Sequence, residues 1–415
     1  MKKWFYLFIL FCNFNFLKSN ENFDLTVIGH PLFIHSWYRL PIILIDTLDK
    51  DLKINFINNK PWAINPYNIP DPVLNIIREN SGINQPGKVI FSYESVHTCS
   101  NYLDVLPKKS LRISYSLFDT SSIPKAWVDM LNLFDAVVVP DQFFVRMYKQ
   151  KGVTVPIFVL PIGLYLDEFL SNDIKKKANK IFTFGSLVYF EPKKNQKLLF
   201  QAFTKEFKNS EKVQLLLNSW GSDEYFEELM QEIENLKATN IRLTLSSLTW
   251  PDYIKFMKSF DCYVNISKGE GFSMTPREAL ALGIPCIVSN NMAQKTICNT
   301  GFVRAVPSKI LEPATNNYNP QIYGKNVPLG YWFNCNIKDV RKSLRAVYNN
   351  YKLYLMKARK GREWVKQYRW QNLKQKYLNL IKPKKVIFGK QNLITNEYLM
   401  TNSITLYKKY KLLSQ

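Results

Sequence analysis

The sequence predicts an α/β protein of two Rossmann-like domains. Three observations carry this. Short apolar, β-branched runs alternate with segments of helical spacing along most of the chain, the order of parallel-sheet proteins. At 415 residues the chain is too long for one ordinary compact domain and suits two. Over residues 262–289 a strand, a glycine-containing loop, a marked helix start and a second strand follow one another, the anatomy of an anion site at strand ends.

The chain opens with Met1-Lys2-Lys3 and an apolar run from Trp4 to Phe11, the pattern of a secretory signal peptide over residues 1–19. An uncleaved anchor is the alternative, although the run is short of the roughly twenty residues a spanning helix needs. The first reading exports the protein; the second holds it membrane-associated on the cytoplasmic face. The first domain is placed at 22–170. Residues 23–29 read as a strand ending in a Gly turn, 30–38 as its loop and 40–48 as the first helix. Gly29, His30 and His35 are site candidates there, with a plain surface loop as the alternative for each histidine. Further strands are predicted at 52–58, 88–93, 111–116, 136–139 and 155–160, helices at 71–80 and 127–134, and a Pro-rich loop at 60–72. His97 and Asp119 follow strand ends, where open α/β sheets bind ligands. Capping of the next turn accounts equally for Asp119.

Residues 171–180 are polar and Lys-rich and read as the interdomain linker. The second domain, 181–335, opens on a strand at 181–186 that contains Gly185. It passes through Glu191-Pro192-Lys193-Lys194-Asn195-Gln196 into a helix at 198–207. Strands follow at 213–217, 241–245, 262–266 and 286–289, with helices at 223–236 and 251–259. Helical spacing over 340–370 predicts terminal helices within 336–380, and 381–415 reads as a basic tail.

The formal net charge is +23, which implies an anionic partner: a nucleotide-sugar, a phospholipid surface or nucleic acid. Residues 351–415 hold sixteen Lys or Arg and two acids, and so segregated an excess favours an anionic membrane surface. No helix-turn-helix, finger or RNP pattern supports nucleic acid. The six cysteines form no C-x-x-C pair and only three histidines exist, so no metal site is expected.

The central stretch runs from Ser267 to Pro285. Thr275 reads as an N-cap, Pro276 as the first helical position, Glu278 as N3 and Gly283 as the left-handed C′ residue. A capping box therefore explains Glu278 as well as a functional role does. Glu270 lies between Gly269 and Gly271, where a carboxylate has no capping duty; a solvated loop charge is its bland alternative.

The run Glu270-Gly-Phe-Ser-Met-Thr-Pro-Arg-Glu278-Ala-Leu-Ala-Leu-Gly-Ile-Pro resembles the E-x7-E donor-site signature of retaining glycosyltransferases with the GT-B fold, those of family 4. The passage from Arg112 to Pro140 is similar to the N-terminal domain of a bacterial subgroup of them, which carries Glu where Asp119 stands. Pro161-Ile-Gly163, Asp167 and Phe169 resemble the family's exit from that domain. The resemblance implies two Rossmann-like domains facing a cleft, a nucleotide-sugar donor, a glycan, lipid or protein acceptor, and neither a cofactor nor a catalytic metal. It implies that Glu270 holds sugar hydroxyls, Glu278 the ribose, and the amides of Gly271, Phe272 and Ser273 the diphosphate. Lys194, with Lys193, would neutralise the leaving group, Asp119 would contact the acceptor, and Gly29, Gly185 and Asn195 would line the donor site. The family's usual upstream Arg would fall near Ser186 or Tyr189, neither of which is basic, with Lys193 as its substitute. A solvated turn is the alternative for both lysines. The competing function is a non-catalytic glycan- or membrane-binding protein that keeps the fold.

Overall fold

The computed structural model describes residues 23–29, 39–58, 71–79, 86–93, 108–219, 223–315 and 327–382. The expectations for the leader, for His30, His35 and His97, for most of the 60–72 loop and for the basic tail lie outside the described residues.

Two sheets organise the chain. The first contains β1 (Leu25–Gly29), β2 (Ile54–Asn58), β3 (Val89–Ser92), β4 (Leu111–Tyr115), β5 (Ala136–Val139) and β6 (Ile157–Val159), in the order β2-β1-β3-β4-β5-β6 and parallel throughout. The second contains β7 (Phe182–Leu187), β8 (Val213–Ser219), β9 (Ile241–Leu245), β10 (Cys262–Asn265), β11 (Cys286–Asn290), β12 (Arg304–Thr315) and β13 (Pro328–Cys335). Its order is β13-β12-β11-β10-β7-β8-β9, parallel except for the β12–β13 hairpin. Strands covered on both faces read as unbroken apolar runs, and the Ala-Val-Val-Val of β5 is buried along its whole length. The strand order reverses beside β1 and again beside β7, and such switch points open a crevice at the carboxyl ends of the strands. The fold is therefore the α/β pair of parallel-sheet, Rossmann-like domains that the sequence predicts.

The two domains share apolar packing. One cluster runs from Leu25, Phe91 and Tyr115 in the first domain to Phe272, Leu280 and Tyr368 in the second and its terminal helices. Among the described residues no helix is long and apolar enough to cross a membrane.

Three features depart from the sequence reading. Helix Gln142–Lys151 was not anticipated, although Asp141 accepts the Phe143 N–H as its cap and Gly152, at φ 101°, ends it. The β12–β13 hairpin was also missed, since Pro307 and Pro313 interrupt β12 and disguise it. The single helical segment expected over 340–370 is three pieces: Ile337–Asn349, Tyr351–Val365 and a short 3₁₀ turn, Lys366–Tyr368, before helix Trp370–Ile381. Its breaks let each piece reach a different neighbour. The first packs on helix Gln196–Glu206, the second on helix Met274–Ala281, and the last on helix Arg39–Leu48 of the first domain. The same end of the chain is tied to the segment after β6 by Leu164 N–H to Tyr368 O at 2.8 Å and by Tyr377 Oη to Pro161 O at 3.0 Å.

Candidate active site

The segment after β4 meets the segment after β10, and two glycines make this possible. A Cβ on Gly269 would lie 2.1 Å from Asp119 O, and one on Gly271 2.4 Å from Leu117 Cδ1. The backbone of one domain therefore touches the other at the loop that carries Glu270.

The cations come from the turn after β7. Pro192–Lys194 forms a single 3₁₀ turn, held to the loop by Lys268 N–H donating to Lys193 O at 2.8 Å. Lys194 Nζ lies 2.7 Å from Glu270 Oε1. Lys193 Nζ binds the Asp119 carboxylate across the cleft and lies 3.3 Å from Glu191 Oε1. The side chains of Lys193, Lys194 and Glu270 are only 12%, 15% and 12% exposed, so neither the solvated-turn nor the solvated-loop alternative describes them. Asp119 caps no helix; Pro124 stands at the start of the following one. Burial opposes ionisation of Asp119, but the ammonium groups of Lys193 and Lys194 win and hold its carboxyl below the usual aspartate value.

Glu278 is corrected by the structure as a capping residue. The helix begins at Met274 with Ser273 as N-cap, two residues earlier than expected, so Glu278 lies within it. The Thr275 hydroxyl, expected to cap, accepts the Tyr263 Oη proton at 2.8 Å instead. Only Gly283, at φ 72°, keeps its anticipated left-handed place. The Glu278 carboxylate points across the domain boundary, where Oε1 accepts from Arg39 Nη1 at 2.9 Å and Oε2 from Tyr253 Oη at 2.6 Å. Glu278 is 1% exposed and Arg39 5%. Burial works against the Arg39 charge, but Glu278 and Tyr253 outweigh it and leave the guanidinium pKa raised. Burial, then the Glu278 charge, push the Tyr253 phenol well up, which keeps it a donor. Trp250 stacks on Tyr253 and lies 5.4 Å from the Arg39 guanidinium. Sequence reasoning named neither Arg39 nor Tyr253, and no local pattern marks them.

The helix Met274–Ala281 starts at the same loop. Among the described residues the N–H groups of Glu270, Gly271, Phe272 and Ser273 carry no hydrogen bond, so they add to the positive end of the helix. The Phe272 side chain is core; its ring lies 3.8 Å from the Arg277 guanidinium, and only its N–H is available to the cleft. Arg277, fully buried, donates through Nη1 to the carbonyls of Phe272 and Ser273, and burial lowers its pKa. Ser273 holds φ 64°, a left-handed value that costs a residue with a Cβ roughly 1–2 kcal/mol. Three expected donor-site residues stand apart from the charges. Asn195, at φ 68°, donates to Ile266 O at 3.2 Å and to Asn334 Oδ1 at 2.7 Å, which commits its amide to bracing the turn. Gly185 underlies the Phe260 ring, where a Cβ would lie 2.1 Å from Cδ1. Gly29 ends β1 against Pro41. Among the described residues no three His, Cys, Asp or Glu side chains are grouped to hold a metal ion.

Two outcomes follow. Arg39→Met leaves Glu278 buried without its cation and should cost about 3–5 kcal/mol in urea unfolding, most of it recovered by adding Glu278→Gln. The folded pKa of Asp119 lies below its unfolded value, so the unfolded chain binds more protons in the acid range. The Lys193–Asp119 contribution is therefore complete above the ordinary value of 3.8 and lost as the pH falls through the depressed one. The stability gap between wild type and Asp119→Asn, measured by urea unfolding, should be steady near neutrality and close below about pH 4.

Residues 167–309 match the family model described as glycosyl transferases group 1. The alpha-monoglucosyldiacylglycerol synthase of Streptococcus pneumoniae (strain ATCC BAA-255 / R6) is 24% identical over 168 residues, 38% of this chain and 38% of its own length. Among solved structures, TarM of S. aureus superposes with a TM-score of 0.52 at 16% identity, over 71% of this chain and 55% of TarM. The chain thus spans less than two thirds of the length of either of these relatives. HepE from Anabaena, crystallised with UDP and glucose, gives 0.57 at 13% identity over 86% and 98% of the two chains. Sucrose-phosphate synthase from Thermosynechococcus elongatus gives 0.63 at 12% identity over 86% and 97%. The chain has the GT-B fold, and its residues 167–309 are similar to the glycosyl transferases group 1.

Proposed function

We propose that the chain is a retaining glycosyltransferase, independent of metal, that moves a sugar from a nucleoside-diphosphate donor to a hydroxyl of a glycan or lipid acceptor. The observation that carries this is the pairing of Lys194 with Glu270 and of Lys193 with Asp119 at one loop and one helix start. A departing diphosphate develops negative charge, and fixed cations and N–H groups stabilise it where it forms. When a diphosphate takes Lys193 and Lys194, it frees Asp119 and Glu270 to accept hydrogen bonds from hydroxyl groups. Glu270 then holds the sugar and Asp119 the acceptor, while Glu278, expected at the ribose, stays on Arg39 and Tyr253. The bond from the sugar's anomeric carbon to the phosphate oxygen breaks as the acceptor oxygen bonds to the same face. The acceptor's proton passes to the leaving phosphate oxygen.

The names of similar proteins support the substrate classes. HepE was crystallised with UDP and glucose, and the Streptococcus pneumoniae synthase is named for a glucosylated diacylglycerol. An anionic membrane as a further partner is supported by helix Tyr351–Val365, which exposes Lys352, Arg359 and Lys360 around Leu353 and Met356, 45% and 54% exposed. A peripheral place on a membrane fits this partner.

A second reading has one observation in its favour. Both lysines are already neutralised by carboxylates, and Ser186 and Tyr189 supply no further cation. A non-catalytic relative would keep the fold and bind a glycan or a membrane.

Thermal-shift measurements against UDP, GDP, ADP and their sugars test the donor site, because a ligand of the native state raises its stability by mass action. The proposal expects one nucleotide to shift the melting temperature selectively and its sugar to be turned over. Lys194→Ala and Glu270→Ala should each lower turnover by about 100-fold or more. A folded wild type that binds none of the three nucleotides supports the second reading.

A further inference from the structure

Ser273 stands where the donor loop becomes a helix, with φ 64° and ψ 74°. Residues other than glycine avoid this region because Cβ crowds the backbone, and they stay in it only where the surroundings over-determine it. Here the surroundings are two carboxamides. Gln294 Nε2 and Asn265 Nδ2 each donate to Ser273 Oγ at 3.2 Å. Both amides are themselves held. Gln294 Oε1 accepts from Ser289 Oγ at 2.6 Å, and Asn265 Oδ1 accepts the Ser267 N–H at 3.0 Å. Gln294 and Ser289 are 0% exposed and Asn265 2%, so these bonds form away from bulk water. Gln294 belongs to the 3₁₀ turn Met292–Gln294 after β11, and Asn265 ends β10. Two neighbouring strand ends thus converge on one serine oxygen.

We propose that Gln294 and Asn265 are positioning residues. They fix Ser273 in its left-handed conformation and so aim the N–H groups of Gly271, Phe272 and Ser273 at the donor's diphosphate. The proposal rests on the glycosyltransferase reading for the identity of that ligand, while the backbone constraint stands on the hydrogen bonds alone. Neither amide touches the ligand; each acts through Ser273. A satisfied, buried network of this kind specifies one backbone geometry. Glycine at position 273 would adopt the same geometry without help.

The test is calorimetric titration of the full chain with UDP, GDP or ADP, whichever binds the wild type. Gln294→Leu should weaken binding about tenfold, the effect of one lost hydrogen bond at the upper end of its range. Added to Ser273→Gly, Gln294→Leu should change affinity by no more than about threefold from the Ser273→Gly single variant, because the residue that needed holding is gone. A loss at Gln294 that acts through stability alone lowers the melting temperature and leaves the affinity of the folded chain unchanged. Unchanged affinity in Gln294→Leu, or a deficit that Ser273→Gly leaves in place, overturns the proposal. If Gln294→Leu does not fold, Asn265→Ala reads the same oxygen from its other side, with the same rescue expected. If the wild type binds none of the three nucleotides, the glycosyltransferase reading fails on its own. The constraint is then read from melting temperatures: Ser273→Gly should recover part of the loss caused by Gln294→Leu, and strict additivity of the two changes overturns it.

Discussion

A carboxylate taken out of water has to meet a positive charge, and Glu278 meets one that belongs to the opposite domain. At 1% exposure it has no solvent to fall back on. Arg39 supplies the charge from the start of helix Arg39–Leu48, and Tyr253 fills the second oxygen. A buried ion pair adds little net stability, since the cost of desolvating both ions nearly cancels their attraction. Its effect is on specificity. Any arrangement that separates the domains at this point strands two ions, so helices Arg39–Leu48 and Met274–Ala281 have one register. The terminal helix Trp370–Ile381 then closes over the first of them, and the shared apolar cluster fills in around the pair.

The same rule governs the rim of the cleft with a different outcome. Lys193 and Lys194 are partly reachable by solvent, and each holds a carboxylate, one from the facing domain and one from their own domain. Under the proposed function these pairs exchange partners where Arg39–Glu278 does not: an incoming diphosphate would offer the lysines a more highly charged partner and release two carboxylates toward hydroxyl groups. The glycines at 269 and 271 keep the loop against Asp119 and Leu117, which would confine that exchange to a narrow gap. The donor loop itself is held from behind, by amides on β10 and after β11, rather than by the cap that the helix start suggests.

Much of this was legible in the sequence, and the parts that were not have physical reasons. The alternation of apolar runs and helical segments gave both parallel sheets, because strands buried on both faces have to be apolar throughout. Glu270 between two glycines stood out because no local structure uses it, and the paired lysines through the family resemblance. Glu278 misled at the level of local chemistry. Thr275, Pro276 and Glu278 satisfy the spacing of a capping box, yet the helix starts at Met274 and the carboxylate serves a partner 239 residues away in sequence. Arg39 was invisible for the same reason, since a cation for a distant carboxylate leaves no periodic trace. The β12–β13 hairpin hid behind its prolines. Gly185 and Asn195 were placed at the donor site by the resemblance; in the structure the first makes room for Phe260 and the second braces a turn.

The exchange of ionic partners at Lys193 and Lys194 is most directly tested by a crystal structure of the chain with a bound nucleoside diphosphate. Phosphate oxygens should lie at hydrogen-bonding distance from Lys194 Nζ and from the N–H groups of Gly271 to Ser273, with Lys193 parted from Asp119 and Arg39 still on Glu278. A diphosphate bound away from this loop, or one bound beside an intact Lys193–Asp119 pair, would contradict it.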